Sequence, residues 1–327
     1  MMVVLLHFGG VRYIGEYAVF GFFSLSGYLM TLIMQQNYGY TVRGIAGYGL
    51  NRFLRIYPIY WVACLISILI LLLLNPENTT ALNANYFLPG EARNWVKNLG
   101  LILKFRSSPI LISPAWALTV ELFFYACIGL GLSRSRRIVL IWFSVSVVST
   151  VYMVASDASW GQRYFTIQAA SLPFSTGAVI YHWREELSEK LGFLVTNSVV
   201  PALMMVLILG NWAVGDYLGT QRHWNFYINY ALCCLMIPVL FRRTELTCIS
   251  RQFDSWLGDL SYPIYLVHAP LGFMLLYGWK QLGLDIDGPG YLMFVISVMP
   301  LVGVAWLMSV GVERPIEWVR SAVKRAI

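Results

Sequence analysis

Long apolar segments recur along the chain and are separated by shorter polar or charged connections. Nine of them approach the roughly 20 residues that a helix needs to cross the hydrocarbon core of a bilayer. They lie at 18–35, 56–74, 114–132, 138–154, 166–183, 198–214, 225–241, 259–279 and 290–312. A shorter apolar segment at 1–8 precedes them. The pattern predicts about ten transmembrane helices, the first of them truncated.

Composition supports this prediction. Hydrophobic residues make up 58% of the 327 residues and charged residues only 12%, whereas soluble domains carry about 25% charged residues. So much apolar surface requires a lipid solvent, which predicts an all-α, polytopic integral membrane helix bundle. A soluble enzyme, a disordered chain and a disulfide scaffold are excluded. The five cysteines show no metal-ligand spacing, so no metal site is expected.

Charge placement predicts the orientation in the membrane. The net charge is +7, and the Lys and Arg residues lie mostly in the connections between apolar segments. If the connection at 36–55 is cytoplasmic, alternation places most basic residues on the cytoplasmic side, as the positive-inside rule requires. Both chain termini are then cytoplasmic. No basic stripe interleaved with aromatic residues is present, so nucleic acid is not an expected partner.

Two segments depart from the regular pattern. Eight helical residues at 1–8 reach only about 12 Å, less than half of a hydrocarbon core of about 30 Å, so we expect part of the first helix to precede Met1. The segment 75–113 is polar at first and amphipathic from Asn94 to Phe105, which suggests an extracytoplasmic or interfacial position. We expect one membrane domain over 1–327 without an appended soluble domain.

Two ionisable residues inside apolar segments are candidates for chemistry, because such residues are costly in lipid. His7 is the only polar side chain of the first segment, and a neutral imidazole can accept a proton from a hydroxyl. Glu121 lies about two turns into a predicted helix that begins near Pro114. The structural alternatives are a histidine that packs between helices and a carboxylate in an ion pair.

Two arginines mark the start of the second full span. Arg52 and Arg55 are three residues apart on one predicted helical face, and paired guanidiniums suit phosphate binding. Positive-inside anchoring, with an aromatic belt that includes Tyr57, Tyr60 and Trp61, is the structural alternative.

A polar face is predicted near the end of the chain. Ser261, Tyr262, Tyr265 and His268 fall within two helical turns, so they can share one side of a helix. They could contact a substrate, or they could form a satisfied polar seam between helices.

Together these residues form an ordered series that resembles the acyltransferase 3 family of integral membrane acyltransferases, and the resemblance covers nearly the whole chain. The matching features are His7, the phrase from Phe22 to Leu29, the Arg-rich phrase from Arg52 to Trp61, the phrase from Trp116 to Glu121, the phrase from Ser261 to His268, and Glu313-Arg314-Pro315. Two features differ from the family pattern. Ala117 stands where a serine is usual, and an arginine eleven positions before the histidine would precede Met1.

The resemblance implies transfer of an acyl group, usually acetyl, from cytosolic acyl-CoA to a hydroxyl of a cell-surface carbohydrate such as an exopolysaccharide or O-antigen. Acetyl-CoA is then the donor substrate, and no cofactor is permanently bound. His7 would be the general base, oriented by Glu121, while Arg52 and Arg55 would hold the phosphates of coenzyme A. Substrate contact or support is expected from a further set: Trp116, Tyr60, Ser261, Tyr262, Tyr265, His268 and Glu313.

The implied location is the bacterial inner membrane, where the protein would work beside envelope polysaccharide biosynthesis proteins. Two other classes remain open. A transporter or flippase could use polar residues such as His7, Glu121 and His268 to line a path through the membrane. A membrane scaffold without catalysis would need none of this chemistry. Release of coenzyme A would distinguish the enzyme from both.

Overall fold

The computed structural model describes residues 2–74, 79, 83–104, 107–241, 250–284 and 288–325. All of the regular secondary structure in these residues is helical, as predicted. In chain order the helices are α1 (Met2–His7), α2 (Ile14–Ile33), α3 (Val42–Leu73), α4 (Ala92–Leu99), α5 (Trp116–Gly129), α6 (Arg136–Ala155), α7 (Trp160–Tyr164), α8 (Ile167–His182), α9 (Arg184–Lys190), α10 (Gly192–Thr196), α11 (Val200–Leu218), α12 (Trp224–Phe241), α13 (Arg251–Gln281), α14 (Tyr291–Met308) and α15 (Arg314–Arg325).

Each of the nine predicted spans coincides with a helix. In the described part of the chain, seven helical segments are long and apolar enough to cross a membrane: Ile14–Tyr38, Val42–Leu73, Arg136–Ala155, Val200–Leu218, Trp224–Phe241, Arg251–Gln281 and Tyr291–Lys324. The predicted spans at 114–132 and 166–183 correspond to α5 and α8, with 14 and 16 residues. At 1.5 Å per residue they reach about 21 and 24 Å, short of a hydrocarbon core of about 30 Å.

The structure extends α3 beyond the predicted span. This helix begins at Val42, so most of the predicted connection at 36–55 is helical, and Arg52 and Arg55 lie within the helix rather than before it. A π-helical turn, Met34–Tyr38, continues α2 up to Gly39, whose φ of 67° ends the helix. The connection between α2 and α3 is therefore only a few residues long.

The outer segment is held by buried side chains. Its helical part is α4, Ala92–Leu99, which ends at Gly100. The Asn98 carboxamide then organises the chain that follows, because it donates to the carbonyl of Pro109 at 3.1 Å and accepts from the N–H of Leu111 at 2.9 Å. Residues 75–78, 80–82 and 105–106 of this segment lie outside the described residues.

Helix α3 supplies the anchors for this segment. The hydroxyl of Tyr60 donates to the carbonyl of Asn98 at 2.7 Å, and Ser67 Oγ donates to the carbonyl of Leu111 at 2.6 Å. Ser67 Oγ also lies 3.0 Å from the Tyr86 hydroxyl. Because the single hydroxyl proton of Ser67 goes to Leu111, the Tyr86 hydroxyl donates this bond. Tyr60 thus has a structural role, because it joins α3 to the end of α4.

The chain divides into two compact units. The first comprises Met1–Val11, Gly49–Thr119 and Trp256–Ile327, and the second comprises Arg12–Tyr48 and Val120–Ser255. The prediction of a single membrane domain over 1–327 stays a prediction.

In the second unit, glycines allow α2 and α8 to approach closely. A Cβ atom on Gly27 would overlap the carbonyl oxygen of Phe174, and one on Gly177 would overlap the carbonyl oxygen of Ser24. The two backbones therefore touch, as small residues permit in membrane helices. Phe23 stacks on Phe174 beside this contact, with ring centroids 5.3 Å apart.

We predict that Gly177→Ala destabilises the protein by about 1–3 kcal/mol, because the added methyl group must push two helix backbones apart. Gly210→Ala is the matched control, since a Cβ atom at this helical glycine meets nothing within 4 Å. The control should be neutral or slightly stabilising. Unfolding midpoints in detergent would measure both, and equal midpoints for the two variants would contradict the close approach of α2 and α8.

Candidate active site

Most of the residues that the sequence singled out belong to the first unit. These are His7, Arg52, Arg55, Tyr60, Trp116, Ser261, Tyr262, Tyr265, His268 and Glu313. Glu121 alone belongs to the second unit.

Two histidines from opposite ends of the chain are neighbours. His7 is the last residue of α1 and His268 lies in the middle of α13. Their ring centroids are 5.0 Å apart and the ring planes are inclined by 41°. His7 is exposed, whereas His268 has an exposed fraction of 0%. The sequence identified both histidines but gave no reason to place them together.

The hydrogen bonds of His268 fix which of its nitrogens carries the proton. Its Nδ1 lies 2.8 Å from the carbonyl oxygen of Tyr265 and 3.2 Å from that of Ile264. A carbonyl oxygen can only accept, so Nδ1 must be the protonated donor. In the neutral ring, Nε2 then carries the lone pair. This atom is buried and has no hydrogen-bond partner among the described residues.

Close packing attaches α1 to α13. Phe8, with an exposed fraction of 2%, follows His7 and lies on Gly272. A Cβ atom at Gly272 would come within 2.5 Å of the Phe8 ring, so only glycine leaves room for the ring. The carbonyl of Phe8 also accepts a hydrogen bond from the N–H of Gly290 at 2.7 Å. His268 lies one turn before Gly272 on α13, so these contacts hold His7 beside His268.

The tyrosines of α13 bond to neighbouring backbone. Tyr262 donates to the carbonyl of Ile56 at 3.2 Å, and Tyr265 donates to the carbonyl of Pro114 at 2.7 Å. The latter bond anchors the turn before Trp116, which is itself buried. Ser261 is exposed and donates to Leu257 in its own helix at 2.8 Å. The structure therefore places Tyr265 beside His268, with ring centroids 6.1 Å apart, and leaves Ser261 at the surface.

A second polar centre surrounds Arg55. Its Nη1 lies 3.2 Å from Oε1 of Glu313, whose side chain is only 9% exposed. Glu313 is the last residue of a π-helical turn, Ser309–Glu313, between α14 and α15. Such turns re-aim side chains and often occur at functional sites. A small cavity opens here, lined by Leu54, Arg55, Ile59, Glu313, Ile316 and Arg320.

Arg320 is a site residue that sequence reasoning missed. Its Nη2 lies 3.2 Å from Oδ1 of Asn51, and the same oxygen accepts a hydrogen bond from Arg52 at 2.8 Å. Arg320 also pairs with Glu317 in its own helix. The amide of Asn51 therefore brings two guanidiniums together, beside the Arg55 pair. The available signal was the amphipathic pattern of α15, which places Arg320 and Ile316 on the same helical face.

Helix α13 passes both polar centres. Tyr262 bonds to Ile56, the residue after Arg55, so Tyr262 is level with the arginine turn of α3. His268 is six residues further along α13, which corresponds to about 9 Å.

Glu121 has a separate environment in the second unit. It is 3% exposed, and its Oε1 accepts hydrogen bonds from Ser26 at 2.8 Å and from Tyr125 at 2.9 Å. Ser26 lies in the phrase from Phe22 to Leu29 that carried part of the resemblance, but its bond to Glu121 was not foreseen. The proposed pairing of Glu121 with His7 stays a prediction.

The described residues contain no group of three or more His, Cys, Asp or Glu side chains placed to hold a metal ion. What the first unit does provide is a fixed imidazole lone pair, a second imidazole that is exposed, and a cluster of three arginines. Imidazole groups transfer protons near neutral pH, and clustered guanidiniums bind phosphates.

We predict that Arg55 and Glu313 are energetically coupled. Arg55→Gln and Glu313→Gln should each destabilise the protein, and the double variant should be more stable than the sum of the single effects predicts. Because the Arg55 side chain is 35% exposed, we expect a coupling energy of only about 1 kcal/mol. The exposed pair Arg136–Glu186 is the control, and its coupling energy should be smaller. Strictly additive effects at Arg55 and Glu313 would contradict the ion pair.

Comparison with known protein families gives one match. The family model described as an acyltransferase domain, acyltransferase 3, matches residues 1–310. No curated protein and no solved structure matches the chain. The match covers most of the chain, including His7, His268, Arg52 and Arg55, and ends before Glu313 and Arg320. The chain therefore belongs to the acyltransferase 3 family and is an integral membrane acyltransferase.

Proposed function

We propose that this acyltransferase moves an acyl group, most simply acetyl, from cytosolic acyl-CoA to a hydroxyl of a cell-surface carbohydrate. The observation that carries the proposal is the His7–His268 pair, which lies about 9 Å along α13 from the level of an arginine cluster. A base at one end and phosphate ligands at the other suit a long thioester donor.

The arginine cluster is suited to the phosphates of coenzyme A. Arg52, Arg55 and Arg320 bring three guanidiniums together beside the carboxylates of Glu313 and Glu317. A third carboxylate, that of Asp259, acts electrostatically on Glu313. A phosphate group would accept charge-assisted hydrogen bonds from these guanidiniums. Since Arg55 already pairs with Glu313, donor binding requires the phosphate to share or replace that carboxylate.

The exposed imidazole of His7 is suited to general-base catalysis. It would remove the proton from the acceptor hydroxyl while the hydroxyl oxygen attacks the thioester carbonyl. The new C–O bond forms, the C–S bond breaks, and the proton on His7 passes to the departing thiolate. The products are the O-acyl carbohydrate and free coenzyme A. A base of this kind contributes typically about 10²–10⁴-fold to the rate.

The location follows from the membrane helices and from the charge pattern. The basic residues favour a cytoplasmic position for the arginine cluster, where acyl-CoA is available. The acceptor hydroxyl would reach His7 from within the membrane or from the outer face. A bacterial inner membrane, in company with envelope polysaccharide biosynthesis proteins, fits such a reaction.

We expect His7→Ala to reduce acyl transfer by about 10²–10⁴-fold while leaving the unfolding midpoint close to that of the wild type, because His7 is exposed. The assay follows release of free coenzyme A from acetyl-CoA with a crude envelope polysaccharide, using purified protein in lipid. His223→Ala, at an exposed histidine of the second unit, is the control and should keep full activity.

Release of coenzyme A at equal rates by the His7→Ala and wild-type proteins would contradict the base assignment. If acetyl-CoA neither bound to the wild-type protein nor reacted, this result would contradict the donor assignment. It would favour transport or a scaffold role.

We expect Arg320→Gln to weaken acetyl-CoA binding about tenfold or more, because a charge-assisted contact of about 1.5–3 kcal/mol is lost. Its effect should fall on KM rather than on kcat, since the phosphates do not change during the reaction. Arg314→Gln, at an exposed position of the same helix, is the matched control and should bind the donor normally. A loss of kcat with unchanged KM would argue against phosphate binding by Arg320.

A further inference from the structure

We propose that His268 is a positioning residue: its Nε2 accepts the ring N–H of His7 and so presents the other nitrogen of His7 to the acceptor hydroxyl. The inference rests on the proposed function for its catalytic meaning. The hydrogen bond itself is a property of the protein and can be tested without catalysis.

The backbone around His268 fixes which of its nitrogens is protonated. Two backbone carbonyls, those of Tyr265 and Ile264, lie within hydrogen-bond distance of Nδ1. Both are acceptors, so the proton of the neutral imidazole must be on Nδ1. The other tautomer would place a lone pair against two carbonyl oxygens and lose both bonds. His268 therefore offers a single acceptor atom, Nε2.

The Nε2 atom of His268 is buried and accepts no hydrogen bond from the described residues. His268 has an exposed fraction of 0%, and Nε2 has no hydrogen-bond partner among the described residues. Buried polar atoms are normally paired, so an unpaired one calls for an explanation. Nε2 can therefore accept a hydrogen bond from a side chain that lies beside it.

A suitable hydrogen-bond donor, His7, lies beside His268. The ring of His7 is centred 5.0 Å from that of His268. The ring of Tyr265 is centred 6.1 Å away, but its hydroxyl already donates to Pro114. A neutral imidazole always has one N–H to donate. Rotation of the exposed His7 side chain would aim that N–H at Nε2 without moving α1.

The resulting series of hydrogen bonds, from His7 through His268 to the Tyr265 carbonyl, resembles that of a catalytic triad. In a triad, a carboxylate holds the N–H of the histidine so that the opposite nitrogen is the base. Here His268 takes the place of the carboxylate, and the carbonyl of Tyr265 holds His268 in turn. When His7 accepts the hydroxyl proton, its positive charge is stabilised by the bond to Nε2. His7 then returns to the neutral form as the proton passes to the thiolate, and His268 ends unchanged.

The first experiment compares substitutions of His268 in the coenzyme A release assay. We expect His268→Ala to lower kcat by about 10²–10⁴-fold with little change in the KM for acetyl-CoA. Added imidazole should restore much of the rate by filling the vacated space with a ring that has an acceptor nitrogen. Pyrrole, a ring of the same size without that acceptor, should not. Equal rescue by both compounds would mean that His268 only fills space, and would overturn the proposal.

The second experiment does not depend on catalysis. Solid-state NMR of ¹⁵N-histidine-labelled protein in bilayers reports the protonated nitrogen of each ring, and the His7 signals are assigned with His7→Gln. We expect His268 to be protonated at Nδ1, and His7 to hold a single neutral tautomer with an N–H coupled to Nε2 of His268. In His268→Leu, His7 should populate both tautomers.

The outcomes separate the two proposals. A His7 tautomer distribution that is the same in the wild type and in His268→Leu would overturn the positioning role. If the wild type released no coenzyme A but the His7–His268 coupling were present, the proposed function would fail while the hydrogen bond would stand. The inference would also be overturned if neither ring restored the rate of properly folded His268→Ala protein and the wild type showed no coupling between His7 and His268.

Discussion

The contact between Phe8 and Gly272 is the constraint on which the candidate active site depends. α1 is described from Met2 to His7. Its end is held because the Phe8 ring fills the space that Gly272 leaves on α13, and because Gly290 donates to the Phe8 carbonyl. This packing gives His7 a fixed support. The position of His7 beside His268 follows from it.

Satisfaction of polar groups explains much of the remaining first unit. In a largely apolar bundle, each buried polar atom is costly unless a partner is found. Asn98, Tyr60 and Ser67 bond to backbone groups and so order the outer segment. Tyr262 and Tyr265 do the same between α13 and its neighbours. The Nε2 atom of His268, by contrast, is buried without a hydrogen-bond partner among the described residues, and His7 is the donor that we propose for it.

The arginine cluster shows how opposite charges can hold a binding site ready. Glu313 keeps Arg55 in place, and Asn51 keeps Arg52 and Arg320 near each other. An anion that enters the cluster would find guanidiniums already oriented and would lose less entropy in binding them. The π-helical turn before α15 is what directs Glu313 toward α3. Structural pairing and ligand binding are therefore compatible roles for the same arginines.

The sequence by itself determined the helices and the chemical groups. Apolar runs specify membrane helices because lipid leaves the backbone no other way to satisfy its hydrogen bonds. Seven of the nine predicted spans correspond to described helical segments that are long enough to cross a membrane. The costly polar residues, such as His7, Glu121 and His268, were visible for the same reason. Tertiary structure alone decided their partners. His7 and His268 are 261 residues apart in the sequence, and no local pattern encodes a contact over that distance. Arg320 joins Arg52 only because α15 packs on the start of α3, and the free nitrogen of His268 is defined by carbonyls that only the folded helix presents.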